Sequence, residues 1–153
     1  MQNRCLSTLL ISLTVLALIF TNPQSLVSYG EATNGLKKTT SAGALDVLLQ
    51  PTPQPPNTKQ ETQFKVTFLQ KGSDKVQPHI DYDFVITRGS KTMFQASNQT
   101  GQPGLPIHTA EGVVTIPYKF ISAGTYIVKV PIFGILFNPI KPETADFSIP
   151  ITS

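Results

Sequence analysis

The side chains best suited to chemistry in this 153-residue chain are its two histidines, His79 and His108. His79, Asp81 and Asp83 alternate along the sequence, so in a β-strand they lie on one face. Imidazoles combined with carboxylates, or with the thioether of Met93, suit Cu(II), Zn or Ni. We therefore predict a candidate metal site made of His79, Asp81, His108 and Met93. The alternative is a solvated outer face that happens to carry these polar groups.

No enzyme motif accompanies the histidines. The sequence has no Gly-x-Ser-x-Gly elbow, no phosphate-binding glycine loop and no His-Glu-x-x-His motif. Its single cysteine, Cys5, lies in the N-terminal region, so cysteine chemistry and blue-copper ligation are excluded from the rest of the chain. We predict that the protein is not an enzyme.

The most apolar stretch after the N-terminal region covers residues 131–140. Gly134 and Pro139 interrupt it, which predicts the last loop of the domain rather than a long strand or helix. If this loop is exposed, it forms a patch that binds a partner; if it folds down, it caps the core. The candidate patch consists of Phe133, Ile135, Leu136 and Phe137.

The elements that must position these groups are β-strands. Apolar and polar residues alternate with a period of two, which is typical of half-buried antiparallel strands, over residues 64–68, 80–87, 114–120, 125–130 and 145–151. Residues 45–50 and 92–96 add two further strands, and Gly89 with Ser90 predicts a hairpin turn before the latter. About seven short strands predict an all-β, immunoglobulin-like antiparallel β-sandwich.

The alternation also predicts which side chains face the core. Tyr126 follows a turn glycine at the start of the penultimate strand, where sandwich folds place a corner tyrosine whose hydroxyl bonds back to nearby backbone. The alternative is an ordinary strand tyrosine with a hydrated hydroxyl. The residues predicted to point inward are Tyr82, Phe84, Tyr118, Phe120, Tyr126, Val128 and Phe147.

The N-terminal region has the layout of a secretory signal peptide. Arg4 precedes the uncharged, apolar run 6–20, and a polar stretch with small residues follows. Small residues favour cleavage before Glu31, with a second candidate site before Thr33. The alternative is an uncleaved N-terminal anchor, although the run is shorter than the ~20 residues that span a bilayer comfortably. Both alternatives predict an extracytoplasmic protein, secreted or at the cell surface.

The chain therefore divides into a signal peptide over 1–30, a polar, flexible leader over 31–43 and the β-sandwich domain over 44–153. A net charge of +3 is too small to indicate nucleic-acid binding. Proline-rich residues 51–56 predict an extended connector after the first strand. Asn98-Gln99-Thr100 matches an N-glycosylation acceptor, which has meaning only in an exported chain.

This layout resembles the small exported immunoglobulin-like proteins of the YtkA-like and FixH-like kind, including archaeal exported relatives. The matching features are the signal peptide, the proline-rich opening and the segments 64–68, 78–84 and 124–130, and the likeness covers about residues 45–151. The resemblance implies export and the sandwich fold, and it implies no activity, since such families are largely without one.

The function predicted first is a non-catalytic, exported or surface-associated interaction module. It would bury its apolar patch against another protein or a cell-envelope component, with no nucleic-acid partner and no membrane span after the signal peptide. The alternative is an extracytoplasmic metal-binding protein that holds copper or zinc with His79 and His108. Apart from that metal, no cofactor is predicted.

Overall fold

The computed structural model describes residues 35–153, so the predicted signal peptide and its cleavage sites lie outside the described residues. Within this range no helix has the length and apolarity needed to cross a membrane. The strands are β1 (Leu36–Thr39), β2 (Leu45–Thr52), β3 (Thr62–Gln70), β4 (Ile80–Tyr82), β5 (Val85–Arg88), β6 (Lys91–Gln95), β7 (Ile107–Thr109), β8 (Val113–Tyr118), β9 (Gly124–Ile135) and β10 (Asn138–Ile151), with a 3₁₀ helix at Ala96–Gln99.

The strands form two antiparallel sheets. The first has the order β1-β2-β3-β8. In the second, β9 pairs with β10 along one edge and with both β4 and β5 along the other. Strand β7 then pairs with β4, and β6 pairs with β5. Two antiparallel sheets packed as a sandwich confirm the predicted all-β, immunoglobulin-like fold class, although residues 35–153 contain ten strands where the sequence predicted about seven.

Aromatic rings join the two sheets at the centre of the core. The ring centroids of Phe64 on β3 and Phe84 lie 5.4 Å apart, and those of Phe68 and Tyr82 lie 5.2 Å apart. Six of the seven side chains predicted to face inward are buried, and the seventh, Tyr118, is half-buried against the same cluster. Alternation in the sequence therefore predicted the phase of these strands correctly.

Tyr126 is the predicted corner tyrosine. Its hydroxyl donates to the backbone carbonyl of Ser122 at 3.0 Å and also lies 3.0 Å from the Ser122 Oγ. The side chain is fully buried at the start of β9. The alternative of a hydrated hydroxyl is therefore not what the structure contains.

The first strand lies where the sequence predicted a flexible leader. Leu36–Thr39 pairs with β2, and the buried carboxylate of Asp46 holds the pair together. Asp46 accepts from the Thr39 hydroxyl at 2.6 Å and from the Gly72 N–H at 2.9 Å. The expectation of a flexible leader is therefore wrong for these four residues, because a polar edge strand is stabilised by its neighbours and not by its own apolar side chains.

The predicted strand 80–87 is interrupted at Asp83. This carboxylate is 5% exposed and accepts hydrogen bonds from the backbone N–H groups of Phe84 and Ser97 at 2.7 and 3.0 Å. The Ser97 hydroxyl and the Gln95 side-chain amide donate to its other oxygen at 2.8 and 2.7 Å. Asp83 therefore anchors the 3₁₀ helix after β6. Strict alternation predicted that Asp83 shares an outer face with Asp81, and that prediction is wrong because the Asp83 side chain is buried.

Prolines and one glycine interrupt the strands less than predicted. Strand β2 continues through Pro51, which is paired with Phe64. The predicted loop 131–140 is instead the end of a long hairpin, in which β9 includes Gly134 and β10 includes Pro139. Pro139 lies beside a register shift in the ladder, where a missing N–H does little harm.

Candidate functional site

Three segments that are distant in the sequence meet at one end of the second sheet. Within the ladders, Asp81 on β4 is paired with His108 on β7 and with Gly134 on β9. His79 directly precedes β4, and the two-residue turn Leu136–Phe137 directly follows β9. Strand pairing therefore brings both histidines to the β9–β10 turn.

The two imidazoles and one carboxylate form a chain of contacts. His108 Nδ1 lies 2.7 Å from Asp81 Oδ1, and His79 Nδ1 lies 3.5 Å from His108 Nε2. An ionised carboxylate can only accept, so a hydrogen lies on His108 Nδ1, and in the neutral imidazole the Nε2 then carries the lone pair on the side of His79. The side chains of His108 and Asp81 are 38% and 35% exposed, so solvent reaches the group.

His79 has a backbone conformation that few residues other than glycine adopt. Its φ of 54° lies in the left-handed region, in which histidine is tolerated better than most residues. Its N–H donates to the Ala110 carbonyl at 3.3 Å, and its carbonyl accepts from the Leu136 N–H at 2.7 Å. These two bonds hold the His79 backbone between the residue that follows β7 and the turn.

Phe137 covers the imidazole pair. Its ring centroid lies 4.3 Å from that of His79 and 5.3 Å from that of His108. The ring planes of Phe137 and His108 differ by only 17°, so these two rings are stacked. The side chain is nevertheless 69% exposed. One face of the ring therefore packs on the histidines, and most of the remainder is open to solvent.

The turn itself has an unusual composition for its geometry. Leu136 and Phe137 have φ values of 52° and 64°, which is the pattern of a type I′ hairpin turn. Such turns favour Asn-Gly, Asp-Gly or Gly-Gly, because a large side chain is strained at positive φ. Leu136 is also 48% exposed, so neither the local backbone nor the core accounts for these two residues.

The remaining members of the predicted patch are less exposed. Phe133 and Ile135 are half-buried, and Ile135 packs against the core cluster. The exposed apolar surface at this end is thus the tip formed by Leu136 and Phe137. We call these two residues the hairpin tip.

The structure does not bring Met93 to the histidines. Met93 lies on β6 beside the end of β5 and packs against the core. Along β9, Met93 is level with residues 127–128 and Asp81 is paired with Gly134, so about six residues or roughly 20 Å separate them at the usual rise per residue. Across residues 35–153, no three His, Cys, Asp or Glu side chains are arranged to hold a metal ion.

Asn98 lies apart from the hairpin tip, on the 3₁₀ helix Ala96–Gln99, where its side chain is exposed. Thr100, the third residue of the acceptor pattern, donates its hydroxyl hydrogen to the Ser97 carbonyl at 2.8 Å. Glycosylation of Asn98 stays a prediction.

Gly134 belongs to the site, although sequence reasoning treated it only as a strand breaker. A Cβ atom at this position would collide with the Asp81 carboxylate, which lies across the glycine. Only glycine therefore leaves room for Asp81 to reach His108. No local pattern marks this role, because it depends on the pairing of β4 with β9.

Comparisons with known protein families, with curated proteins and with solved structures found no match for this chain.

Proposed function

We propose that this chain is an exported, non-catalytic immunoglobulin-like module that binds another protein by inserting its hairpin tip into an apolar pocket. The observation that carries the proposal is the pair of large, exposed apolar side chains at the two left-handed positions of a type I′ turn. Export rests on the signal-peptide layout and on the resemblance to small exported sandwich proteins.

The composition of the turn supports a role outside the fold. Asn-Gly would close the same hairpin with less backbone strain and without exposed apolar surface. Strained residues that the fold does not require are concentrated at functional sites. A role of Leu136 and Phe137 in contacting a partner therefore explains their presence better than a role in closing the hairpin.

The surroundings of the tip favour a protein partner over a lipid surface. Residues 131–141 contain one basic side chain, Lys141, whereas surface attraction to anionic lipids relies on several. The tip is instead bordered by the polar group of His79, His108 and Asp81. An aromatic anchor with a polar rim is typical of the energetic centre of a protein interface.

Site-specific photo-crosslinking in the native host tests this proposal. A photoreactive phenylalanine analogue at position 136 should give one saturable crosslinked protein, and adding Phe137→Gly should abolish it. The matched control carries the analogue at Ser90, in the other two-residue turn of the sheet.

Equal crosslinking at positions 136 and 90 would contradict the proposal. So would binding to protein-free phospholipid vesicles that disappears with Leu136→Asn and Phe137→Gly, since that result identifies a lipid-contacting tip. Either outcome is informative because the exposed tip can be changed without disturbing the core.

A further inference from the structure

We propose that His79 and His108 form a binding site for a divalent transition metal that prefers tetrahedral coordination, zinc above all, and that Asp81 is the positioning residue of this site. The proposal goes beyond the binding of a protein partner, since it assigns a separate ligand to the polar group behind the hairpin tip.

The distance between the two ring nitrogens carries the inference. Two nitrogens bound to one tetrahedral zinc ion at 2.0–2.1 Å are about 3.3–3.4 Å apart. His79 Nδ1 and His108 Nε2 are 3.5 Å apart and face each other. Adjacent nitrogens of a square-planar Cu(II) site would be about 2.9 Å apart at similar bond lengths, so the observed spacing favours zinc.

The hydrogen-bond pattern leaves a lone pair where a metal needs one. Asp81 Oδ1 accepts the Nδ1–H of His108 at 2.7 Å, so in the neutral imidazole the lone pair is on Nε2. The nearest ring nitrogen to that lone pair is His79 Nδ1, at 3.5 Å, and with its hydrogen on Nδ1 the His79 ring donates to it. When zinc binds both nitrogens, the His79 hydrogen moves to its own Nε2 through solvent, so both imidazoles stay neutral.

Asp81 acts as the outer carboxylate found behind many metal-bound histidines. Such a carboxylate fixes the tautomer and the orientation of the ring and makes the opposite nitrogen a better ligand. Gly134 makes this contact possible, because any Cβ there would displace the Asp81 side chain. The carboxylate, the glycine and the two histidines therefore form one arrangement built across three strands.

Two histidines leave two coordination positions of a tetrahedral ion for water or for a group from another molecule. Two protein ligands are fewer than the three of an open catalytic zinc site and the four of a closed structural one, so the site binds the ion less tightly than either. The exposure of His108 allows an ion to enter from solvent. We therefore expect reversible binding of one zinc ion, and a fold that does not depend on it.

Calorimetry and nitrogen-15 NMR of the untagged full chain test the proposal with zinc chloride as the probe. We expect one zinc ion per chain, with coordination shifts at His79 Nδ1 and His108 Nε2. His79→Ala and His108→Ala should each lower the affinity at least tenfold. Asp81→Asn should lower it about tenfold and reduce the shift at His108 Nε2 while leaving the thermal unfolding curve unchanged.

Glu111→Gln is the matched control for Asp81→Asn, because it removes a negative charge from the exposed segment just after β7. Zinc affinity should not change in this variant. The doubly substituted His79→Ala, His108→Ala chain provides the background for zinc bound elsewhere, including by Cys5. Zinc affinity equal to that background, or coordination shifts at other ring nitrogens, would overturn the proposal.

The metal site and the hairpin tip can fail independently. Leu136→Asn with Phe137→Gly should abolish the crosslink and keep zinc binding, whereas His79→Ala with His108→Ala should abolish zinc binding and only weaken the crosslink, since the imidazoles border the tip. Zinc bound by the tip variant without coordination shifts at His79 Nδ1 and His108 Nε2 would contradict the assignment of the two imidazoles as the metal ligands.

Discussion

The carboxylate of Asp46 has a pKa that links the stability of the fold to pH. Hydrogen bonds from the Thr39 hydroxyl and then from the Gly72 N–H lower the pKa of Asp46 below its ordinary value of 3.8. A carboxyl group with a lowered pKa in the folded state stabilises the fold at pH values above its unfolded-state pKa. That contribution is lost as the pH falls through the lower, folded-state value.

Asp46→Asn should therefore reduce the free energy of unfolding by about 1–3 kcal/mol at pH 6. Because the stabilisation by the carboxylate decreases once the pH falls below the unfolded-state pKa, the difference between the two proteins should narrow at pH 2.5. Urea titration at both pH values measures the gap. Asp74→Asn is the control, since the Asp74 side chain is 98% exposed, and it should show little difference at either pH. A gap independent of pH would mean that the charge of Asp46 does not matter.

Individual side chains differ in how far the sequence could predict them. Tyr126 could be recognised because its position after a turn glycine is a local signal, and its hydroxyl bonds as expected. The contact between His79 and His108 could not be recognised, because it depends on the pairing of β4 with β7. Residues 96–106 separate β7 from β6, and they carry no pattern that specifies where the chain rejoins the sheet.

Strands and turns show the same contrast. The turn at Gly89 was predictable, since glycine there has a φ of 57° and marks a hairpin in the sequence. The turn at Leu136 and Phe137 was missed because its residues are the ones that such a turn disfavours. Strand β1 was missed because its stability comes from Asp46 on β2 and not from alternation of its own side chains. Residue types along the sequence predict a strand or turn only where neighbouring residues in the sequence stabilise it.

The same reasoning predicts that the hairpin tip costs stability. Leu136→Asn with Phe137→Gly reduces the backbone strain at two left-handed positions, where a large side chain costs roughly 1–2 kcal/mol per residue. The double variant loses only the packing of Phe137 on the imidazoles. We expect the double variant to be more stable by about 1 kcal/mol in urea titration.

Gly89→Leu is the converse control, because nothing lies within 4 Å of a Cβ atom at that position and the change is purely conformational. It should destabilise the domain by about 1 kcal/mol. If the tip variant were instead less stable than wild type, Phe137 would be part of the structural packing, and the argument for a contact role would lose its basis.

Taken together, the β-sandwich assigns no activity, because this architecture serves many unrelated functions. Both proposed functions are located at the end of the second sheet, where the hairpin tip and the histidine pair are adjacent. Partner binding requires a compartment that contains the partner, and zinc binding requires one in which zinc is accessible. The location of the protein in the cell therefore bears on both proposed functions.

We expect protein purified from its native host to begin at or near Glu31 and to be located outside the cytoplasmic membrane. The physical reason is the apolar run 6–20, which is long enough for a signal sequence, followed by small residues suited to cleavage. Intact-mass measurement of each cell fraction checks this expectation. A full-length species in the membrane fraction would identify an uncleaved anchor and still place the domain outside the cytoplasm. A full-length species in the cytosol would contradict export, and with it the proposed partner in the extracytoplasmic space.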